Sequence, residues 1–415
     1  MNEKLQQLLD EYEENYNEFT YLHYLDKDNQ FALKTGLVGC FYLNQAYLPE
    51  KRQALGKVLA LYDKYWGNKL HYGFSDGDPN QIIPYEKMNI VEKQNEIISN
   101  GYDSLNFYWS NVNNLDFTPA YMIKTMSFAD WHEEVHRGIS YLQFYLPISE
   151  LATLGCKKMI ELIKEMSQLL QPMHGFFGLG VQHSHEFYGY QHLEYEIAHK
   201  YFGLDISNTE SDLRFRKGFK CINWLTILGD ELINAKLGSI TELKNNNHDE
   251  AIEFYPYHGG IIVRAGEVPE LAKVEHKPYP KHYVNVNALL KPARAPDIGS
   301  LGFGSINGVI RFNNRTSKIW QARFDDIIPS DIPAESVNNI DATTEKQRVR
   351  IQVKSGELCR YSGLYSASID GKIEHRELSL GHIVAPFRNS ETGKIYDDVI
   401  WHLLRRDDGG EVYLK

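Results

Sequence analysis

QFALKTGLVGCFYL at residues 30–43, followed by PEKRQALGKVLALYDKYW at 49–66, decides how the fold begins. The first run is apolar and aromatic enough for a strand. The second is apolar at helical spacing. Pro49 sits at its first position, where a missing N–H is harmless, and Gly67 closes it after Trp66. Lys69–Phe74 then reads as the next strand, so the globular part opens β-α-β. Upstream, Leu5, Leu8, Leu9, Tyr12 and Tyr16 fall at three- and four-residue spacings. They predict an amphipathic helix whose acidic outer face (Asp10, Glu11, Glu13, Glu14) is a solvated surface or a decoy that meets a basic partner.

Downstream, residues 75–100 are polar, with Pro79 and Pro84, and read as a long surface connection. LNFYW, YMIKTM and ISYLQFYL within 103–147 are strand-like, 149–170 is a helix, and GFFGLGVQ is a further strand. A helix is expected around Leu193–Phe202, closed by Gly203. Residues 221–237 (CINWLTILGDELINAKL) are read as one apolar-periodic helix stopped by Gly238. IEFYP and GGIIVRAG follow as strands joined by a turn near His258–Gly260. Strands and helices alternate early and helices cluster late. The expected class is therefore α+β: a mixed β-sheet with packed helices, followed by a smaller β-rich C-terminal unit.

The Pro-rich KPARAP from Lys291 marks a change of texture, giving an expected division into 1–29, 30–294 and 295–415. The last part holds a faint repeat. GFGSINGVIRFNN (302–314) echoes LYSASIDGKIEHR (364–376), each centred on a hairpin signal, Asn307-Gly308 and Asp370-Gly371. This suggests an internal duplication.

The 415-residue chain carries a net charge of -11, which disfavours direct binding to phosphate backbones and suits a basic partner. Aromatics make up 13%, with 27 tyrosines, enough to supply cores, sheet faces or contact surfaces. Cys40, Cys156, Cys221 and Cys359 are scattered with no CxxC pair, so no zinc ribbon is expected. The acidic N-terminus is unlike a secretory signal, and no apolar run approaches the ~18 residues of a membrane span. Together these point to a cytoplasmic protein with free thiols.

Two clusters invite a chemical reading. His132-Glu133-Glu134-Val135-His136 matches H-E-x-x-H, in which histidines one helical turn apart hold zinc and the glutamate acts as general base. That reading, a zinc hydrolase, is the alternative function. Against it, a strand-like run begins soon after His136, leaving room for a short helix at most. His183, His185, Glu186, His192 and His199 form the second cluster, read as surface and cap histidines among aromatics. The same stretch offers a contact surface for a basic partner, for which Tyr188, Tyr190, Glu194, Tyr195 and Glu196 are the candidates. Gly302–Gly308 does not form the dinucleotide fingerprint, and there is neither a G-x-S-x-G nor a phosphate-binding G-x-x-x-x-G-K. No catalytic residue, metal or cofactor is assigned.

Several segments, in order, resemble the type VI secretion immunity protein family. They are Tyr201-Phe202-Gly203-Leu204-Asp205; Lys220-Cys221-Ile222-Asn223-Trp224-Leu225-Thr226-Ile227-Leu228-Gly229-Asp230 with Leu237-Gly238; Gly260 to Leu271; and Tyr283-Val284-Asn285-Val286-Asn287 leading to Leu290-Lys291-Pro292-Ala293-Arg294. Ala272-Lys273 stands where the family has Gly-Asp. The resemblance covers roughly residues 30–294. It implies a protein without catalysis that binds and silences a cognate type VI effector toxin, a nuclease with a basic surface, by occluding its active site in the cytoplasm. The matched motifs themselves read as structural: Trp224 and Leu225 as packing residues, Gly229 and Gly266 as turns or close approaches.

Overall fold

The computed structural model describes residues 2–22, 31–75, 82–87, 89–99, 102–185, 191–206, 213–274, 280–299, 312, 314–325, 351–357, 359–370, 372–389 and 392–406. The chain divides into two compact units, Met1–Ile332 and Pro333–Lys415.

The first unit opens with α1 (Glu3–Glu14), capped by the Asn2 side chain and buried through Leu5 and Leu8. β1 (Thr20–Leu22) leads to β2 (Phe31–Leu43), the long strand expected from residues 30–43. Side chains alternate across a strand. Leu37, Phe41 and Leu43 therefore enter one apolar cluster while Val38, Cys40 and Tyr42 enter another on the opposite face. Burial on both faces explains why this strand reads as a continuous apolar run.

α2 (Pro49–Trp66) follows as expected, then β3 (Tyr72–Ser75) and β4 (Ile83–Pro84). The supposed surface connection also contains a helix, α3 (Ile90–Ser99). Its Gln94 donates to the Gly56 carbonyl of α2 at 3.1 Å, and Lys93 lies 3.5 Å from the Tyr85 ring centroid. Its burial runs against composition: Lys93 and Ile97 are buried, while Val91 and Ile98 are exposed.

β5 (Leu105–Ser110) and β6 (Met122–Ser127) precede the short α4 (Asp130–Glu134) and β7 (Ser140–Leu146). The helix expected over 149–170 is split into α5 (Glu150–Leu154) and α6 (Cys156–Leu170) by Gly155 at φ +81°. Next come β8 (His174–His183) and α7 (Gln191–Lys200).

Residues 221–237 are not one helix. They form β9 (Leu225–Gly229) and then α8 (Asp230–Lys236). All five residues of β9 are buried, and neighbouring strands pair with it on both sides. A short fully apolar run of this kind carries no periodicity to separate it from a buried helix. The unit continues with α9 (Ile240–Asn245), β10 (Ile252–Tyr257), β11 (Gly260–Ala265), α10 (Lys281–Leu290) and α11 (Asn314–Gln321).

The strands form one eleven-stranded antiparallel sheet in the order β10-β11-β9-β8-β2-β7-β6-β5-β3-β4. β1 pairs with the start of β2 on the side that β7 occupies further along. The opening β-α-β is therefore correct in sequence, but β2 and β3 are not neighbours in the sheet. α2 and α6 pack together over one face with α3 behind them. Ala198 of α7, Ile206, Phe215, Cys221, Ile298 and Trp320 of α11 fill the other.

Beyond Lys291, where the sequence changes texture, packing in this unit continues. Arg294 forms a two-pronged ion pair with Asp325, at 2.8 and 2.7 Å, and also donates to Asn287 at 3.2 Å. Those donors hold the Asp325 carboxyl down at about 2, against the opposing effect of its partial burial.

In the second unit, β12 (Gln352–Lys354), β13 (Gly363–Ile369) and β14 (Lys372–Leu378) are followed by the small β15 (Phe387–Arg388) and β16 (Ile395–Tyr396) hairpin and by β17 (Ile400–Arg406). The main sheet runs β12-β17-β13-β14. Ile369 pairs with Lys372, leaving the two-residue turn expected from Asp370-Gly371, with Asp370 at φ +49°. Tyr365, Ala367 and Ile369 alternate into a core with Trp401 and Leu403. The first copy of the faint repeat falls almost wholly outside the described residues. The molecule as a whole is a mixed α+β protein, and among the described residues no helix is long and apolar enough to cross a membrane.

Candidate functional site

In the H-E-x-x-H segment α4 ends at Glu134, and His136 lies beyond it, with its ring 5.4 Å from that of His132. Arg137 turns the chain at φ +61°, three residues before β7 begins at Ser140. The carboxylate of Glu133 is buried and fully engaged. It accepts the backbone N–H of Gln45 at 2.6 Å and of Ala46 at 3.1 Å, the Ser140 hydroxyl, and a guanidinium N–H of Arg216 at 3.4 Å. Arg216 also donates to Asn44 at 2.8 Å and to the carbonyls of Arg137 and Gly138. A glutamate held by four donors is a structural tie, with no lone pair directed at a catalytic water. His132 stacks on Phe128, centroids 4.1 Å apart. Among the described residues, no three His, Cys, Asp or Glu side chains gather into a group able to hold a metal.

That same knot presents its remaining side chains outward. Of the six tryptophans, five are at most 2% exposed and Trp131 is 56% exposed. Val135, at 71%, and Tyr102, at 56%, are also exposed. Tyr47 links the two sides: its ring lies 6.3 Å from that of Tyr102, and its hydroxyl donates to Glu134 at 2.7 Å. The Ala129 amide donates to Ser104 at 3.0 Å, fixing the start of α4 against the 102–104 loop. Asp103, Asp130 and Glu134 adjoin these residues in sequence, and Arg137 is the nearest exposed cation along the chain. The hydrogen bond to Glu134, with burial second, pushes the Tyr47 hydroxyl up to about 12.

The candidates on and before α7 are distributed differently. Tyr188 and Tyr190 lie outside the described residues. Glu194 is 1% exposed. Tyr195 packs between His199 and Phe312, at 4.1 and 5.1 Å between centroids. Glu196 is exposed and pairs with Lys200 at 2.9 Å. The exposure of Trp131 is not signalled by its sequence neighbours, which read as metal chemistry.

The family-like segments converge on one another. Phe202 and Gly203 donate through their amides to the carbonyls of Ala272 and Leu271, both at 3.0 Å. Trp224 is buried against Phe177, and its indole N–H reaches the Gly266 carbonyl at 3.3 Å. Asn223 donates to the Leu179 carbonyl of β8 at 3.1 Å. Lys220 and Asp205 form a buried ion pair at 2.5 Å, with Cys221 donating to the same carboxylate at 3.4 Å. These motifs build the scaffold, as the sequence reading expected of Trp224 and the glycines.

A groove of about 820 Å³ lies between the start of α1, the α5–α6 junction and β10–β11. At its wall Arg264 pairs with Glu253 at 2.7 Å, and Lys4 pairs with Glu267 at 3.1 Å. Burial pushes the Cys156 thiol there up to about 11, which suppresses the thiolate.

None of the curated proteins matches this chain. Among solved structures it is similar to the Pseudomonas aeruginosa T6SS protein PA0821, with 20% sequence identity and a TM-score of 0.70 over 82% of this chain and 96% of that one. At that identity the likeness establishes a shared fold. The family model described as TsiV, type VI immunity for VRR-NUC, matches residues 54–324, which include β3 to β11 and all the converging motifs. The chain belongs to the TsiV family of type VI immunity proteins for VRR-NUC.

Proposed function

We propose that this protein binds a VRR-NUC nuclease toxin of a type VI secretion system and blocks its active site, with no reaction of its own, in the cytoplasm where the toxin meets DNA. The family match over residues 54–324 carries the reading. Two features support it. The net charge of -11 favours encounter with a nuclease whose groove is basic in order to hold phosphates. The zinc-hydrolase alternative finds no support in the geometry, since Glu133 is tied by four structural donors.

The test is co-expression with a VRR-NUC effector from the same genome. Co-purification of the two proteins and restored growth of intoxicated cells are expected. Unchanged toxicity with no complex would overturn the reading.

A further inference from the structure

We infer that the α4 turn is the surface that enters the nuclease. Trp131, Val135 and Tyr102 are the apolar anchors, and Asp103, Asp130 and Glu134 meet lysines and arginines of the toxin's DNA-binding groove. The inference rests on the immunity reading and assigns it a place on the molecule.

Three observations carry it. First, this chain buries its tryptophans, and Trp131 is the exception. An indole left in water, with a valine one helical turn away on the same turn of chain, is the composition of an interface anchor, because Trp and Tyr dominate binding hot spots. Second, the turn is rigid before any partner arrives. The Glu133 carboxylate pins it to the amides of Gln45 and Ala46, Arg216 clasps the carbonyls of Arg137 and Gly138, and Tyr47 holds Glu134. Preorganised anchors lose little freedom on binding. Third, the surrounding charge fits one class of partner. Residues 102–104 and 130–137 carry Asp103, Asp130, Glu134 and the buried Glu133 against one arginine, Arg137, and no lysine. A protein surface that holds DNA presents the opposite sign.

The experiment measures binding of the full-length chain to the purified VRR-NUC effector carrying an inactivating substitution. Trp131→Ala is expected to weaken binding about thirtyfold, as for a central hot spot. Asp103→Lys with Glu134→Lys is expected to slow association and to remove most of its dependence on salt. Glu196→Lys on α7 is expected to bind like the unaltered chain. Circular dichroism and melting confirm that each variant is folded. If the unaltered chain binds while the Trp131 variant and the charge-reversed variant bind equally well, this surface is wrong and the immunity reading stands. Loss confined to Glu196→Lys overturns the assignment in favour of α7. Failure of the unaltered chain to bind removes the immunity reading and the surface with it.

Discussion

Lys220 Nζ lies 2.5 Å from Asp205 Oδ1 with both side chains out of reach of water. Lys220 also donates to the Ile206 carbonyl and sits 4.5 Å from the Phe176 ring centroid. Burial alone would push the lysine toward neutrality, but Asp205 outweighs it and holds the ammonium above its usual range. Removing one partner strands the other charge in an apolar layer. Asp205→Ala is therefore expected to lower unfolding free energy by about 3–5 kcal/mol, measured by urea denaturation. Asp205→Leu combined with Lys220→Met should recover much of that loss, because no unpaired charge remains. A double variant no more stable than the single one would show that the pair does more than neutralise itself.

Glu133 is expected to behave as a fastener. Glu133→Ala strands two backbone amides and leaves Arg216 without its carboxylate, at about 3 kcal/mol. The melting temperature should fall, and a chelator should leave that of the unaltered chain where it was. A large drop on chelation would return His132 and His136 to consideration as metal ligands.

Much of this was legible in the sequence, and the misses have physical causes. β2, α2 and the β10–β11 hairpin announce themselves through period, a proline start and turn glycines. β9 was read as helix because all of Leu225–Gly229 is buried, and a fully apolar run has no second face to reveal its period. α3 escapes a sequence reading because Lys93 is buried while Val91 and Ile98 are exposed, so no clean apolar stripe marks its inner side. For the candidate site, spacing draws the eye to α4 through a metal motif. His132-Glu133-x-x-His136 looks like a zinc helix only if the helix continues, and Arg137 at φ +61° ends that possibility. Whether Trp131 faces inward or outward depends on what Glu133 grips 87 residues away in sequence, which no local pattern encodes.

Gly203 and Glu270 bring two motifs distant in sequence into close contact. A Cβ placed on Gly203 would stand 1.7 Å from the Glu270 carbonyl oxygen, so the 268–272 segment would have to move. That segment also holds Gly203 through the Leu271 carbonyl. Gly203→Ala is expected to destabilise the first unit by more than about 2 kcal/mol in a denaturant melt. A neutral result would mean that the segment yields freely, and that the close approach is not what fixes glycine there.

His174 should make the protein sensitive to mild acid. The ring is buried between Tyr42 and the Phe215 carbonyl, to which its Nε2–H donates at 2.6 Å. Burial drives its pKa down to about 4; the carbonyl opposes the shift, and nearby Lys220 adds to it. In the unfolded chain the same ring titrates near its ordinary value of about 6.5. Between these values the unfolded state binds more protons, so stability rises with pH through that window. The contribution is complete above about 6.5 and is lost as pH falls toward 4, on the order of 3 kcal/mol in all. His174→Gln keeps a donor for Phe215 and removes the titration. Urea melts at pH 7, 5.5 and 4.5 should show the unaltered chain losing stability more steeply than the variant. Parallel slopes would place the acid sensitivity elsewhere, in groups such as the half-buried His183 and His185, whose pKa values desolvation lowers to about 3 and about 4.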